Sequence, residues 1–163
     1  MLVLPLPTAP IEVRRVFEAW SIAVPPWFDE TYVVENDYWH AWDAHRSVSL
    51  TSVVVTKKGR PVTAERLIGQ IPPLDGTPVD AVPVGLLARA AIGPAVQPAR
   101  ASFALAGMLA TEGRILIVTI TSDDLEWARE TWLSIRCHAA PSSHHADTQE
   151  RRHQRHGRQG RRS

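Results

Sequence analysis

Residues 99–137 read ARASFALAGMLATEGRILIVTITSDDLEWARETWLSIRC, a stretch that predicts two strands followed by a helix. Its run 114–121 is almost continuously apolar and rich in β-branched side chains, which fit a pleated surface. An apolar run of this length without polar alternation is typical of a strand that is buried on both faces. We therefore expect a sheet with layers on both sides.

The segment 99–110 predicts the other strand of a hairpin. It is joined to the apolar run by Glu112-Gly113, a short connection in which glycine accepts the positive φ of a tight turn. Alanine, leucine and methionine also favour helices, so a helix beginning near Pro98 is the alternative for this segment.

An amphipathic helix is predicted after the apolar run. Ser122 can cap it, and Asp123 and Asp124 place negative charge at the positive end of its dipole. Its core-facing residues recur at helical spacing: Leu125, Ala128, Trp132 and Ile135.

The rest of the chain predicts further strands and one more helix. Strands are expected in 13–24, 31–35, 38–43 and 47–56, and a helix over 62–71 with Thr63 as its cap. Segment 85–96 is compatible with a helix or a strand, and we interpret it as a strand that completes a meander with the hairpin. These elements predict an α+β fold in which an antiparallel β-sheet is flanked by helices, as in an α/β/α sandwich.

Composition divides the chain into three parts: an N-terminal extension (1–10), a single α+β domain (11–137) and a tail (138–163). The tail holds six arginines and five histidines but no large apolar residue, which predicts disorder. Against Asp147 and Glu150, these arginines leave the tail at about +4. The whole chain carries +1, so the body carries about −3.

Sequence features also bear on location. The apolar start is broken by prolines and lacks a basic segment, and no stretch approaches the roughly twenty apolar residues of a membrane span. Cys137 is the only cysteine, so no intrachain disulfide is expected. We predict a cytoplasmic protein without membrane contact.

Three segments carry a resemblance to a known fold: Trp20-Ser21-Ile22-Ala23-Val24-Pro25-Pro26-Trp27, residues 113–121, and the helix with Trp127 and Trp132. Together with the order of the elements, they resemble the PsbP-like fold. That group includes the extrinsic photosystem protein, a Ran-binding nuclear import factor, DcrB-like proteins and LpqN-like lipoproteins. The resemblance implies an α/β/α sandwich used mainly to bind proteins, including as a chaperone. It carries over no catalytic residue, and the lipoprotein relatives' lipobox cysteine has no counterpart here.

Four tryptophans are the candidate binding residues: Trp27, Trp39, Trp42 and Trp127. Tryptophan and tyrosine dominate interface hot spots, so those that the fold leaves exposed would contact a partner. Alternation puts Trp39 and Trp42 on opposite faces of a strand, and the alternative is that such aromatics are core residues.

A polar group, Asp37, His40, Asp43 and His45, is the candidate for catalysis. Alternation along the predicted strand places His40 on the same face as Tyr38 and Trp42 and places Asp43 on the opposite face. An acid–base pair or a set of metal ligands would instead need side chains that converge on one point. The sequence contains no Gly-x-Ser-x-Gly, Walker or Gly-x-Gly-x-x-Gly motif.

We therefore predict no catalytic residue, no metal site and no cofactor. The predicted function is a non-enzymatic protein-binding module, an adaptor or chaperone. Its alternatives are a small enzyme using residues near His40–His45, or weak, non-specific nucleic-acid contact through the basic tail.

Overall fold

The computed structural model describes residues 10–96 and 101–138. Two helices, α1 (Ala64–Gly69) and α2 (Leu125–Leu133), and a 3-10 turn (Val34–Asn36) accompany the strands. The strands are β1 (Glu12–Val16), β2 (Trp20–Val24), β3 (Asp29–Val33), β4 (Tyr38–Trp42), β5 (Ser47–Val54), β6 (Thr56–Lys57), β7 (Arg60–Pro61), β8 (Thr77–Pro78), β9 (Leu87–Pro94), β10 (Phe103–Thr111), β11 (Arg114–Ser122) and β12 (Arg136–Cys137). The tail residues 139–163, for which disorder was predicted, lie outside the described part, as do residues 1–9 of the N-terminal extension.

The strands form an antiparallel main sheet with the order β3-β4-β5-β11-β10-β9-β8. A three-stranded sheet, β1-β2-β12, and a small hairpin, β6-β7, complete the described chain. The α+β class is confirmed.

The central hairpin is also confirmed. β10 and β11 pair along their whole length, ending at Thr111 opposite Arg114, and Gly113 in the turn has φ +70°. On its other side β10 pairs with β9, so segment 85–96 contributes a strand to the meander. The alternative helix at the start of this stretch is excluded for residues 103–111.

The prediction that β11 is buried on both faces is wrong. Leu116, Val118 and Ile120 are buried, whereas Ile117 is 37% exposed and Thr119 is exposed as well. The β-branched run made the outward residues look like core residues, because isoleucine and threonine suit a strand at any exposure. One face of the main sheet therefore carries the core, and we call the other the open face.

The core lies between the main sheet, α2 and the three-stranded sheet. Trp20, Ile22 and Trp132 are fully buried, and Trp132 Nε1 donates a hydrogen bond to the Ala81 carbonyl at 2.9 Å. This bond satisfies the one polar atom of the Trp132 side chain, whereas Trp20 Nε1 is buried without a hydrogen-bond partner among the described residues.

The N-cap of helix α2 lies two residues later than the sequence predicted. Asp124, rather than Ser122, is the N-cap, and its side chain accepts a hydrogen bond from the Trp127 amide at 3.1 Å. Ser122 instead accepts from the Asp124 amide at 2.9 Å, so it supports the cap from outside the helix.

Helix α1 contacts β9 and β10, and the Ile71 carbonyl beyond its end accepts a hydrogen bond from Arg89 at 2.7 Å. Arg89 alternates along β9 with Ala90, which lies beside Trp132 in the core, so Arg89 belongs to the open face. The six residues of α1 thus lie next to β9 and β10.

The predicted first strand over 13–24 is two strands. Phe17 and Glu18 both have positive φ, 52° and 58°, and they form a tight turn that folds β2 back onto β1. Neither glycine nor asparagine marks this turn in the sequence, which is why the segment was predicted to be continuous.

Replacing Gly113 by valine is expected to destabilise the protein by more than about 1 kcal/mol, because a β-branched residue is strained at positive φ. The new Cβ would also lie 2.8 Å from Pro61 Cβ. Chemical denaturation measures the cost. Valine at Gly59, which has φ +73° but no atom within 4 Å of the new Cβ, is the matched control. Equal costs at both positions would show that the Pro61 contact contributes nothing.

Candidate functional site

The structure distributes the four candidate tryptophans unequally. Trp39 is only 4% exposed and belongs to the core, so it is removed from the candidates for a partner contact. Trp27 is 51% exposed, and Trp42 and Trp127 are half-buried. The opposite orientations predicted for Trp39 and Trp42 are confirmed, because Trp42 lies on the open face.

Arg46 joins the exposed Trp27, the half-buried Trp127 and the buried Phe28 into one cluster. Its guanidinium carbon is 4.8 Å from the ring centre of Trp127, 5.9 Å from that of Trp27 and 5.5 Å from that of Phe28. Each distance is within the range of a cation–π contact. Arg46 thus fixes side chains from three separate parts of the chain relative to one another.

Asp43 holds Arg46 in place. Its Oδ2 accepts from Arg46 Nη2 at 2.7 Å and from Trp27 Nε1 at 3.2 Å. Its Oδ1 accepts the amides of His45 and Arg46 at 2.9 and 2.8 Å, which closes the turn between β4 and β5. Both carboxylate oxygens therefore have partners, and the aromatic cluster is ordered before any partner binds.

The pKa of Asp43 reflects this arrangement. Burial alone would raise it, but the hydrogen bonds from Arg46, the His45 amide and Trp27 outweigh burial and lower the pKa from 3.8 to about 2. The carboxylate is therefore charged at neutral pH, as the contact with Arg46 requires.

We define the Trp27 surface as Trp27, Trp42, Asp43, Arg46 and Trp127. Sequence reasoning found its three tryptophans but missed Arg46, since nothing in a lone arginine before a strand indicates that it stacks on distant rings. Asp43 was found, but as a candidate acid or base and not as the residue that orients Arg46.

A groove of about 430 Å³ adjoins the Trp27 surface on the open face. Trp42, Asp43 and Arg46 form its wall on one side, and small or hydroxyl side chains from β5, β10 and β11 form its floor. The floor residues are Ser47, Ala104, Thr119 and Thr121. Such a floor leaves room for side chains of a bound molecule.

An aromatic ladder borders the groove along β4. The ring of His40 stacks between Tyr38 and Trp42, with centroid distances of 6.2 and 4.9 Å. This confirms that the three side chains share one face. His40 Nδ1 lies 2.7 Å from Ser49 Oγ on the neighbouring strand. Burial lowers the pKa of His40, and a hydrogen bond with the backbone of Val48 opposes this shift.

The polar group near His40 does not converge on one point. His40 contacts Ser49, whereas Asp43 contacts Arg46 and Trp27, and His45 is exposed. Asp37 lies at the other end of β4, where its carbonyl accepts from the Ser52 amide at 3.1 Å. Within residues 10–96 and 101–138, no group of three His, Cys, Asp or Glu side chains is placed to hold a metal ion.

No protein-family model matches the chain, and no curated protein matches it significantly. In the described ranges, neither helix is long and apolar enough to cross a membrane.

Replacing Asp43 by asparagine is expected to lower the free energy of unfolding by about 1 kcal/mol at pH 7, because the pair with Arg46 lies near the surface. Because the pKa of Asp43 is lower in the folded than in the unfolded state, its charged carboxylate stabilises the fold at pH values above the unfolded pKa. This contribution is lost as the pH falls from about 4 to about 2.

The measurement is urea denaturation of both proteins across that pH range. The difference between them should shrink below about pH 4 and vanish near pH 2. Asparagine at Asp75, an exposed loop residue, is the control and should show no comparable dependence. A difference that stays constant down to pH 2 would contradict the charged contact.

Proposed function

We propose that this chain is a protein-binding module, an adaptor or chaperone, whose partner docks on the Trp27 surface. The observation that carries the proposal is the Arg46 guanidinium, which lies among Trp27, Phe28 and Trp127 and is held by Asp43. Tryptophan and arginine are the residue types most enriched at interface hot spots.

Preorganisation is the physical reason why this cluster favours binding. A side chain that must be ordered on association costs about 0.5–1.5 kcal/mol, and Arg46 is already ordered by Asp43. The exposed half of Trp27 offers a wide, rigid apolar contact that loses little conformational freedom.

The groove suggests how a partner would extend beyond the Trp27 surface. Its floor of small and hydroxyl side chains could accept apolar or hydrogen-bonding side chains of a protein segment lying beside Trp42. Because Arg46 lies on the wall of the groove, one partner could contact both features together.

We also propose membership of the PsbP-like group, with the α/β/α sandwich that this implies. Support comes from the order of the elements, from the contacts of α1 with β9 and β10, and from the contacts of α2 with β10 and β11. A cytoplasmic location remains a prediction, as does non-specific nucleic-acid contact through residues 138–163, nearly all of which lie outside the described part.

Replacing Trp27 by alanine is expected to weaken partner binding by more than about 1 kcal/mol, or roughly fivefold or more in Kd. The loss comes from the apolar contact area and from the ring that positions Arg46. The melting temperature should change little, because half of the ring is already in water. The partner is first isolated from native extract with the wild-type chain, and its affinity for each variant is then titrated.

Tyr32→Ala is the matched control, since Tyr32 is also a half-exposed aromatic but lies outside the Trp27 surface. Equal losses of affinity for both variants, or none for Trp27→Ala, would place the binding site elsewhere. If alanine at His40 and Asp43 instead abolished turnover of a small molecule, the enzyme alternative would replace this proposal.

A further inference from the structure

Acidic residues cluster on β3, the edge strand of the main sheet, and in the turns beside it. Between Arg15 and Arg46 the sequence contains six acidic residues and no lysine or arginine. Asp43 pairs with Arg46, and the remaining five define the acidic edge: Glu18, Asp29, Glu30, Glu35 and Asp37. All five are exposed, and β3 is the last strand on its side of the main sheet.

Little of this negative charge is neutralised within the fold. Glu30 pairs with Arg14 at 3.0 Å. The other four carboxylates form no ion pair with any residue in the ranges 10–96 and 101–138. Arg15, the next nearest basic residue in sequence, donates to the Glu18 backbone carbonyl rather than to a carboxylate.

The chain leaves the described fold beside this edge. The His138 amide donates to the Ala19 carbonyl at 2.6 Å, and His138 Nε2 lies 2.7 Å from Ser21 Oγ. Two residues before Ala19, the ring of Phe17 packs on Tyr32 of β3 with a centroid distance of 5.4 Å. The described chain therefore ends at His138 near the acidic edge, and the sequence that follows it, 139–163, contains six arginines.

From these observations we propose that the arginine-rich segment 139–163 docks on the acidic edge of its own chain. Its first arginine, Arg151, follows His138 by 13 residues. That length spans about 20 Å as a helix and at most about 45 Å when extended, so either conformation reaches along β3. Covalent linkage also supplies an effective concentration in the millimolar range.

The contact is chemically specific. A guanidinium can donate two parallel hydrogen bonds to a carboxylate, and six arginines face five carboxylates that have few competitors. Docking would also cover the edge strand β3, and proteins commonly protect edge strands from pairing with other chains. It does not rest on the proposed function, because the acidic edge and the Trp27 surface share no residue.

The experiment uses the full chain with a nitroxide label on the segment, attached at Gln159→Cys after Cys137→Ser. Paramagnetic broadening of backbone amides reports which surface the label approaches. We expect residues 29–37 to lose more than about half of their intensity at low salt. They should recover it at about 1 M salt, where the Debye length falls to about 3 Å.

Neutralising the edge supplies the decisive comparison. The variant Glu18→Gln, Asp29→Asn, Glu35→Gln, Asp37→Asn should abolish the broadening. The matched control is Glu65→Gln, Asp75→Asn, Asp80→Asn, Glu112→Gln, which removes four exposed charges elsewhere and should leave the broadening unchanged. Equal effects in both variants, or broadening that ignores salt, would overturn the proposal.

A mixed sample identifies the occupant. Nitroxide-labelled chain at natural isotope abundance is mixed with ¹⁵N-enriched chain that carries no nitroxide. Broadening in this mixture as strong as in the single species would mean that the segment of a second copy docks instead, and the intramolecular proposal would then fail. No broadening in the mixture is the result that we expect.

Discussion

Replacing Trp132 by alanine is expected to lower the free energy of unfolding by about 3–5 kcal/mol, the usual cost of truncating a large buried aromatic. The side chain is fully buried in the core, and its indole nitrogen donates to the Ala81 carbonyl. Truncation therefore leaves a cavity and also removes the only hydrogen bond that the structure gives between α2 and the loop before β9. Urea denaturation followed by circular dichroism measures the change.

Trp27→Ala is the control for this substitution, because it removes the same side chain from a half-exposed position. It should cost less than about 1 kcal/mol. If Trp132→Ala cost no more than Trp27→Ala, the packing of α2 on the main sheet would be wrong.

Replacing Gly107 by valine is expected to cost about 3 kcal/mol or more, at the upper end of the range for overpacking a core. The Trp132 ring lies directly on Gly107: an added Cβ would be 2.5 and 2.6 Å from two of its carbons and 3.2 Å from Ala90 Cβ. The Trp132 ring is fully buried, so it cannot move away from Gly107 unless the core repacks. The same denaturation experiment measures the loss.

A double-mutant cycle separates this clash from other effects of the substitution. In the Trp132→Ala background the space above Gly107 is empty, so alanine at Gly107 should cost at least about 1 kcal/mol less than in the wild type. Additive costs would show that Gly107 is required for a reason other than the approach of Trp132.

The parts of the fold that the sequence predicted correctly are those in which neighbouring residues decide the outcome. Glu112-Gly113 marks a turn by the conformational freedom of glycine, and Ala128 and Trp132 mark a helix face by their spacing. Both signals are local, and both are confirmed.

The errors concern what lies opposite a residue in space. Whether Ile117 is covered depends on a second layer that its own strand does not encode, and it is partly open to solvent. Likewise, the turn at Phe17 and Glu18 adopts positive φ without glycine, because pairing of β1 with β2 and contacts such as that of Phe17 with Tyr32 outweigh the local cost.

The candidate site was predictable in its aromatic residues only. Residue type marked four tryptophans as candidate contact residues, but the role of Arg46 depends on its approach to Trp27, Phe28 and the distant Trp127, which only folding brings about. Alternation along the strand predicted that His40 and Asp43 do not converge on one site, and the fold gives each a different set of hydrogen-bond partners.

The most direct test of the proposed docking site is photo-crosslinking from position 27. Benzoylphenylalanine replaces Trp27 in one sample and Val84, which is 74% exposed and outside the Trp27 surface, in the other. Each protein is irradiated with the isolated partner. We predict a discrete covalent adduct from position 27 and none from position 84. An adduct from position 84 alone, or equal adducts from both positions, would contradict the assignment of the Trp27 surface as the docking site.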